Sequence, residues 1–162
     1  MKTATYHFKG IVILFIACLI LSACKKDKNI KASIVGTWIN SIAYAKAQQY
    51  KQTYVFNADS TVNITQAVVD SASGNVLGYM YSGSGKFRLN ADEITFYNLA
   101  SYRDTVTNST YLPLNKLALI KTDTLENYNI IMADDMNSFH FIYYCLLTNA
   151  GCPIKQIIFT RQ

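Results

Sequence analysis

The chain contains 162 residues, of which 51% are hydrophobic and 15% charged, with a formal net charge of +5 at pH 7. This length fits one domain or at most two small ones, and the apolar fraction excludes an intrinsically disordered chain. Seven glycines and two prolines exclude collagen-like and low-complexity sequences. Twelve tyrosines and eight phenylalanines favour a β-rich protein, because aromatic side chains fit pleated surfaces.

Residues 1–23 have the order of features expected of an export signal. Basic residues lie near the start, at Lys2 and Lys9, and the 13 residues 11–23 carry no charge. A membrane-spanning helix needs about 20 apolar residues, so this run is too short to span. It ends in Leu21-Ser22-Ala23-Cys24, which resembles the lipobox of bacterial lipoproteins. The resemblance implies cleavage before Cys24 and acylation of that cysteine by palmitate-type chains; the alternative is a buried helix with an incidental cysteine.

Residues 24–32 are predicted to be the lipidated cysteine and a hydrophilic tether to the domain. Four lysines and one aspartate lie in 25–31, and residues 32–162 carry nine charges of each sign. The basic balance therefore belongs to the tether, and no nucleic-acid partner is predicted. By resemblance to bacterial lipoprotein sorting, Lys25 in place of Asp after Cys24 favours the outer membrane. The face that the domain occupies, periplasmic or external, stays open.

Residues 33–162 have the pattern of one domain of antiparallel strands. From Leu77 to Leu89 the large apolar side chains share one parity, and the other parity is polar apart from Gly78 and Met80. Gly83 and Gly85 fall on the apolar parity, where strands bend or bulge. Further strands are predicted at 34–43, 51–57, 61–69, 93–100, 114–122, 128–133, 139–147 and 154–161. Turn-forming residues separate them. The pattern predicts an all-β barrel or a β-sandwich.

Gly36-Thr37-Trp38 opens the first predicted strand, an aromatic-Asn-x-Asp hairpin follows within 54–61, and Arg161 lies in the last strand. Together these motifs resemble the small lipocalin-like lipoproteins of Bacteroidetes-type bacteria. The resemblance covers roughly residues 33–162 and implies an antiparallel barrel of about eight strands, with the β-sandwich as alternative. Gly36 would bend the first strand, Trp38 would plug the barrel end, and Arg161 would stack on the indole ring. The mid-chain Thr-Asp-Tyr motif of typical lipocalins is missing.

Six aromatic side chains are predicted to face one interior and to contact a ligand: Tyr54, Phe56, Tyr79, Tyr81, Phe87 and Phe96. Such an interior suits a small apolar or amphipathic molecule, with phenol hydroxyl groups orienting it. The alternative is a filled core, because a barrel of eight strands is only just wide enough to hold a ligand. A protein-binding envelope scaffold that docks through residues 139–147 is the competing function.

No catalytic residue, metal site or cofactor is predicted, and the chain is expected not to be an enzyme. No Gly-x-Ser-x-Gly motif surrounds a serine, and Gly83-Ser84-Gly85-Lys86 lacks the spacing of a phosphate-binding loop. His140 is the one histidine beyond the predicted signal. Cys145 and Cys152 flank six residues, and a disulfide between them is predicted in the oxidising envelope. Two buried free thiols are the alternative.

Overall fold

Eight antiparallel strands close into one barrel in chain order. The computed structural model describes residues 34–105, 111–143 and 155–162. The strands are β1 (Gly36–Ala45), β2 (Gln48–Phe56), β3 (Thr61–Asp70), β4 (Val76–Asn90), β5 (Glu93–Arg103), β6 (Ala118–Met132), β7 (Ser138–Tyr143) and β8 (Lys155–Arg161). The predicted all-β barrel of about eight strands is confirmed, and the alternative of a β-sandwich is wrong.

The barrel closes through a short seam between its first and last strands. In the described part of the chain, the β1–β8 ladder has two residue pairs, Trp38–Arg161 and Ile39–Thr160. By contrast, β1 and β2 pair at nine positions. The side chain of Asn40 then bonds across the seam, its Nδ2 donating to the carbonyl oxygen of Ile158 at 2.8 Å. We call the end of the barrel at which β1 begins and β8 ends the closed end, and we call the opposite end the open end.

Aromatic rings fill the half of the interior next to the closed end. Seven large side chains there are at most 1% exposed, and we call them the aromatic plug: Trp38, Phe56, Phe87, Phe96, Phe139, Phe141 and Phe159. Phe139 stacks on Phe159 with ring centroids 5.0 Å apart, and Trp38 meets Phe139 edge-on at 4.9 Å. These are the arrangements that aromatic quadrupoles favour. The aromatic plug is therefore a packed core and not the wall of a cavity.

The three residues predicted to close the barrel lie together at the closed end. Gly36 has φ +139°, a conformation that side-chain-bearing residues rarely adopt, although a Cβ there would meet nothing within 4 Å. Trp38 is fully buried, and its Nε1 donates to the carbonyl oxygen of Ile34 at 2.6 Å. Arg161 Cζ lies 4.6 Å from the centroid of the Trp38 ring. A cation–π contact of this kind stabilises by about 1 kcal/mol.

One boundary prediction is wrong. The runs predicted as strands at 114–122 and 128–133 belong to a single strand, β6, while Leu114–Lys116 forms a 3-10 turn. Residues 122 and 123 of β6 both lie opposite Ala100 of β5, because Lys121 pairs with Ser101 and Thr124 with Leu99. Such a bulge bends a strand without ending it. Asp123 adopts φ 57° there.

Neighbouring isoleucines of β6 provide a test of which face is inside. Ile130 is 3% exposed and Ile131 is 50% exposed. We expect Ile130→Ala to lower the free energy of unfolding by about 2–5 kcal/mol, because it removes buried methylene groups and leaves a cavity. The control Ile131→Ala should change it by about 0.5 kcal/mol or less. Urea denaturation followed by Trp38 fluorescence measures both, and equal losses would contradict the assignment.

Candidate functional site

A cavity of about 300 Å³ occupies the interior between the aromatic plug and the open end. Strands β2 to β6 supply its walls. Tyr54 lies at the boundary, since it lines the cavity and its ring also contacts Phe96, at 5.9 Å, and Phe141, at 5.3 Å. This volume is at the lower end of the range for small-molecule sites. The barrel therefore has a filled half and a hollow half.

The strand register arranges the inward residues in rows across the wall. Of the two rows that line the cavity, the one nearer the open end runs from Gln52 through Gln66 and Tyr81 to Arg103, each paired with the next. The row below it runs through Tyr54, Ile64, Gly83 and Ser101 in the same way. The lining thus becomes more polar towards the open end. A ligand in the cavity would meet aromatic rings at its inner end and polar groups at its outer end.

Gly83 makes room for the phenol ring of Tyr81. A Cβ at position 83 would lie 2.6 Å from the Tyr81 hydroxyl oxygen, so any side chain there would displace the ring. The Tyr81 hydroxyl lies 3.0 Å from Oγ of Ser101, within hydrogen-bond distance. Arg103 Cζ lies 5.2 Å from the centroid of the Tyr81 ring. Residue 83 was expected as a strand bend, and its missing side chain also shapes the cavity.

Burial raises the pKa of Tyr81 above its ordinary value of 10.0. The hydrogen bond with Ser101 lowers that pKa, while the charge of Glu126 raises it and the charge of Arg103 lowers it. Desolvation is the largest of these effects, because a phenolate loses more hydration than a phenol on burial. Tyr81 therefore presents a neutral hydroxyl group to the cavity at physiological pH.

Two glutamine side chains bring amide groups to the cavity. Gln52 is 6% exposed, and its Nε2 donates to the Tyr54 hydroxyl at 3.4 Å. In the described ranges, Gln52 Oε1 accepts no hydrogen bond and the Gln66 side chain makes none. A buried amide group without a partner costs about 1–3 kcal/mol. These atoms are consequently available to a bound molecule or to water.

Three charged side chains line the cavity. Arg103 and Lys121 are exposed, and Glu126 is half-buried. The hydroxyl of Tyr128 donates to Glu126 Oε2 at 2.7 Å. Neither cation forms an ion pair with Glu126 or with another carboxylate among the residues described. The two positive charges are therefore not neutralised by direct contact.

The predicted aromatic residues divide between the two halves of the barrel. Five of them are buried in the interior cluster: Tyr54, Phe56, Tyr81, Phe87 and Phe96. Of these, Tyr54 and Tyr81 line the cavity, while the three phenylalanines belong to the plug.

Tyr79 is the exception and corrects the prediction. It is half-buried and, within the described chain, belongs neither to the core cluster nor to the cavity wall. In the β3–β4 ladder the consecutive residues Gln66 and Ala67 pair with Tyr81 and Tyr79, so Met80 is an extra residue. This bulge interrupts the alternation that would have placed Tyr79 beside Tyr81.

Polar members of the site were missed at the sequence level. They are Gln52, Gln66, Ser101, Arg103, Lys121 and Glu126. A signal was present in β2, where Gln52 has the same parity as the aromatic residues Tyr54 and Phe56. A polar side chain on the inward parity of a barrel strand indicates either a hydrogen-bonded core position or a cavity.

Several sequence predictions concern residues outside the described ranges. Cys24, Cys145 and Cys152 lie there, so lipidation and the disulfide stay predictions. Among the residues described, no three His, Cys, Asp or Glu side chains converge as metal ligands. His140 Nδ1 lies 3.3 Å from Oε1 of Gln156. The described segments also contain no helix with the length and apolar character needed to cross a bilayer.

No protein-family model, curated protein or solved structure matches the chain. The resemblance to lipocalin-like lipoproteins therefore rests on the sequence motifs and the barrel alone.

Tyr81 predicts a pH dependence of stability in the alkaline range. Its native pKa lies above the unfolded value of about 10, so the native state retains a proton that the unfolded state releases. Stability contributed by this group is complete below about pH 10 and is lost as the pH rises through the native pKa.

Tyr81→Phe should remove this part of the alkaline loss of stability. Tyr44→Phe, at a site on β1 that is 42% exposed, is the matched control. Urea denaturation at several values between about pH 9 and pH 11 measures the slope. If Tyr81→Phe leaves the slope of the unfolding free energy against pH unchanged, the role assigned to the burial of the Tyr81 hydroxyl is contradicted.

Proposed function

We propose that this chain is a lipid-anchored barrel protein of the bacterial cell envelope that binds one small molecule in the open-end cavity. It acts in this proposal as a binding protein rather than as an enzyme. The observation that carries the proposal is the hollow half of the interior, where the buried Gln52 Oε1 accepts no hydrogen bond from any residue that the structure describes. A barrel with only a structural role would gain stability from apolar side chains in that space.

The lining also narrows the expected ligand. An apolar or amphipathic molecule was expected from the aromatic residues. Ile64, Ile120 and the ring of Tyr54 do offer apolar surface, but amides, hydroxyls and charges occupy the rest of the wall. An amphipathic or polar molecule is therefore favoured over a purely hydrophobic one, because the latter would leave buried polar groups without partners.

Lipid anchoring is supported by the sequence. The lipobox-like Leu21-Ser22-Ala23-Cys24 and the hydrophilic spacer 25–31 would hold the barrel at the membrane surface. Lys25 after the cysteine favours the outer membrane by resemblance to lipoprotein sorting. The small molecule would then be captured within the envelope.

The competing scaffold function would use the exposed apolar residues of the segment 139–147. Within that segment, Phe139 and Phe141 are fully buried in the aromatic plug and offer no docking surface. The part of the predicted docking strand from residue 144 onward lies outside the described ranges. Small-molecule binding is therefore the function that the geometry supports best.

Filling the cavity is the direct test of binding. We expect native mass spectrometry of the full chain, purified from its own envelope in mild detergent, to show a bound mass that is released on denaturation. Gln66→Phe should abolish that mass, because the larger ring occupies the cavity, while Gln49→Phe at an exposed position of β2 should retain it. The proposal would be contradicted if the unaltered chain showed only the mass of the protein without a ligand, or if both variants retained the bound mass equally.

Substitution of Cys24 tests the anchor separately. Cys24→Ser should abolish incorporation of labelled palmitate and move the protein from the membrane fraction to the soluble one, because the acyl chains are lost. Cys18→Ser, within the apolar run, is the control and should keep the label. Labelling that persists in Cys24→Ser would overturn the predicted lipidation site.

A further inference from the structure

We infer that the cavity takes a small hydroxyl-rich organic anion, of the size and chemistry of a sugar acid. This inference rests on the proposed binding function and adds the class of ligand. It draws on three independent features of the cavity: two cations that form no ion pair among the described residues, amide atoms that have no hydrogen-bond partner there, and the closed inner end.

The cations point to an anionic group on the ligand. Arg103 and Lys121 both line the cavity, and no described carboxylate forms an ion pair with either. The guanidinium of Arg103 lies over the ring of Tyr81, which limits its freedom before any ligand arrives. A planar guanidinium binds a carboxylate through two parallel hydrogen bonds, a geometry that a single ammonium group does not offer.

Glu126 limits the negative charge that a ligand can carry, and it favours a ligand with hydroxyl groups. It brings one negative charge to the same cavity, so the ionisable side chains of the lining sum to a single positive charge. A ligand with one carboxylate balances that charge, whereas a second anionic group would be repelled. Glu126 already accepts a hydrogen bond from the Tyr128 hydroxyl, and its carboxylate has further capacity to accept from ligand hydroxyls.

The amides point to a ligand with several hydroxyl groups. Gln52 Oε1 lacks a donor, and the Gln66 amide lacks both donor and acceptor partners in the described chain. Because the two residues are paired across β2 and β3, they present these groups at the same level of the wall. A hydroxyl group both donates and accepts, so a polyol satisfies such a mixture. An alkyl chain would leave it unsatisfied.

The inner end of the cavity sets the length of the ligand. Tyr54 packs against Phe96 and Phe141, so the plug blocks further penetration towards the closed end. A long acyl chain would need that space. With about 300 Å³ available, the cavity suits a molecule of monosaccharide size, which has a flat face for the Tyr54 ring to contact.

Isothermal titration calorimetry on the full chain in mild detergent separates these features. The probes are glucuronate and galacturonate, their neutral parents glucose and galactose, and hexanoate, which has a carboxylate without hydroxyl groups. We expect at least one uronate to bind at least about 10-fold more tightly than its neutral parent and than hexanoate, because it alone satisfies both the cations and the amides.

Two substitutions assign the effect to the named side chains. Arg103→Gln should weaken binding of the uronate about 10- to 100-fold and leave binding of the neutral sugar nearly unchanged. Arg88→Gln, at an exposed position of β4, removes the same charge elsewhere and should have no effect. Gln66→Leu should weaken both the uronate and the neutral sugar, since it removes a hydroxyl partner.

The inferred class is overturned if hexanoate binds as tightly as the uronates, if no sugar acid binds, or if Arg103→Gln and Arg88→Gln behave alike. These results are distinguishable from failure of the proposed function. An extra mass in native spectra that Gln66→Phe removes would still identify a binding protein, with a ligand of another class.

Discussion

The inner width of a barrel of eight strands is the constraint on which the rest of this structure depends. Such a barrel has just enough room to be filled by side chains or to hold one small molecule. The size of the inward residues at each level therefore decides between core and cavity. Rings of Trp38, Phe139 and Phe159 fill the interior next to the closed end. Gly83 and Ser101, on β4 and β5, contribute little volume, and the cavity lies beside them.

The two halves of the interior have opposite effects on stability. Burial of a phenylalanine side chain contributes roughly 1.5–3 kcal/mol, and the plug contains six of them. A buried polar atom without a partner costs roughly 1–3 kcal/mol, and Gln52 Oε1 in the cavity wall has none among the residues described. The plug thus offsets the cost of a polar cavity within one continuous sheet. A ligand that bonds to the amides would remove part of that cost and stabilise the barrel.

Much of the barrel could be predicted because alternation reports which face of a strand is buried. Trp38 and Arg161 are paired residues on adjacent strands, so a contact between their side chains follows once the barrel is assumed. Bulges could not be predicted, since one extra residue changes parity without a distinctive composition. Met80 shows this for Tyr79, and residues 122 and 123 show it for the two runs that merge into β6.

The sequence by itself determined the strand-rich composition, most strand positions and the aromatic character of the core, because these depend on local patterning. It also predicts a lipid anchor, since lipoprotein processing reads a short linear motif. Only the tertiary structure decided that the interior is half filled and half hollow. That outcome depends on register across neighbouring strands, which brings Gln52, Gln66 and Arg103 to one level although up to 51 residues separate them.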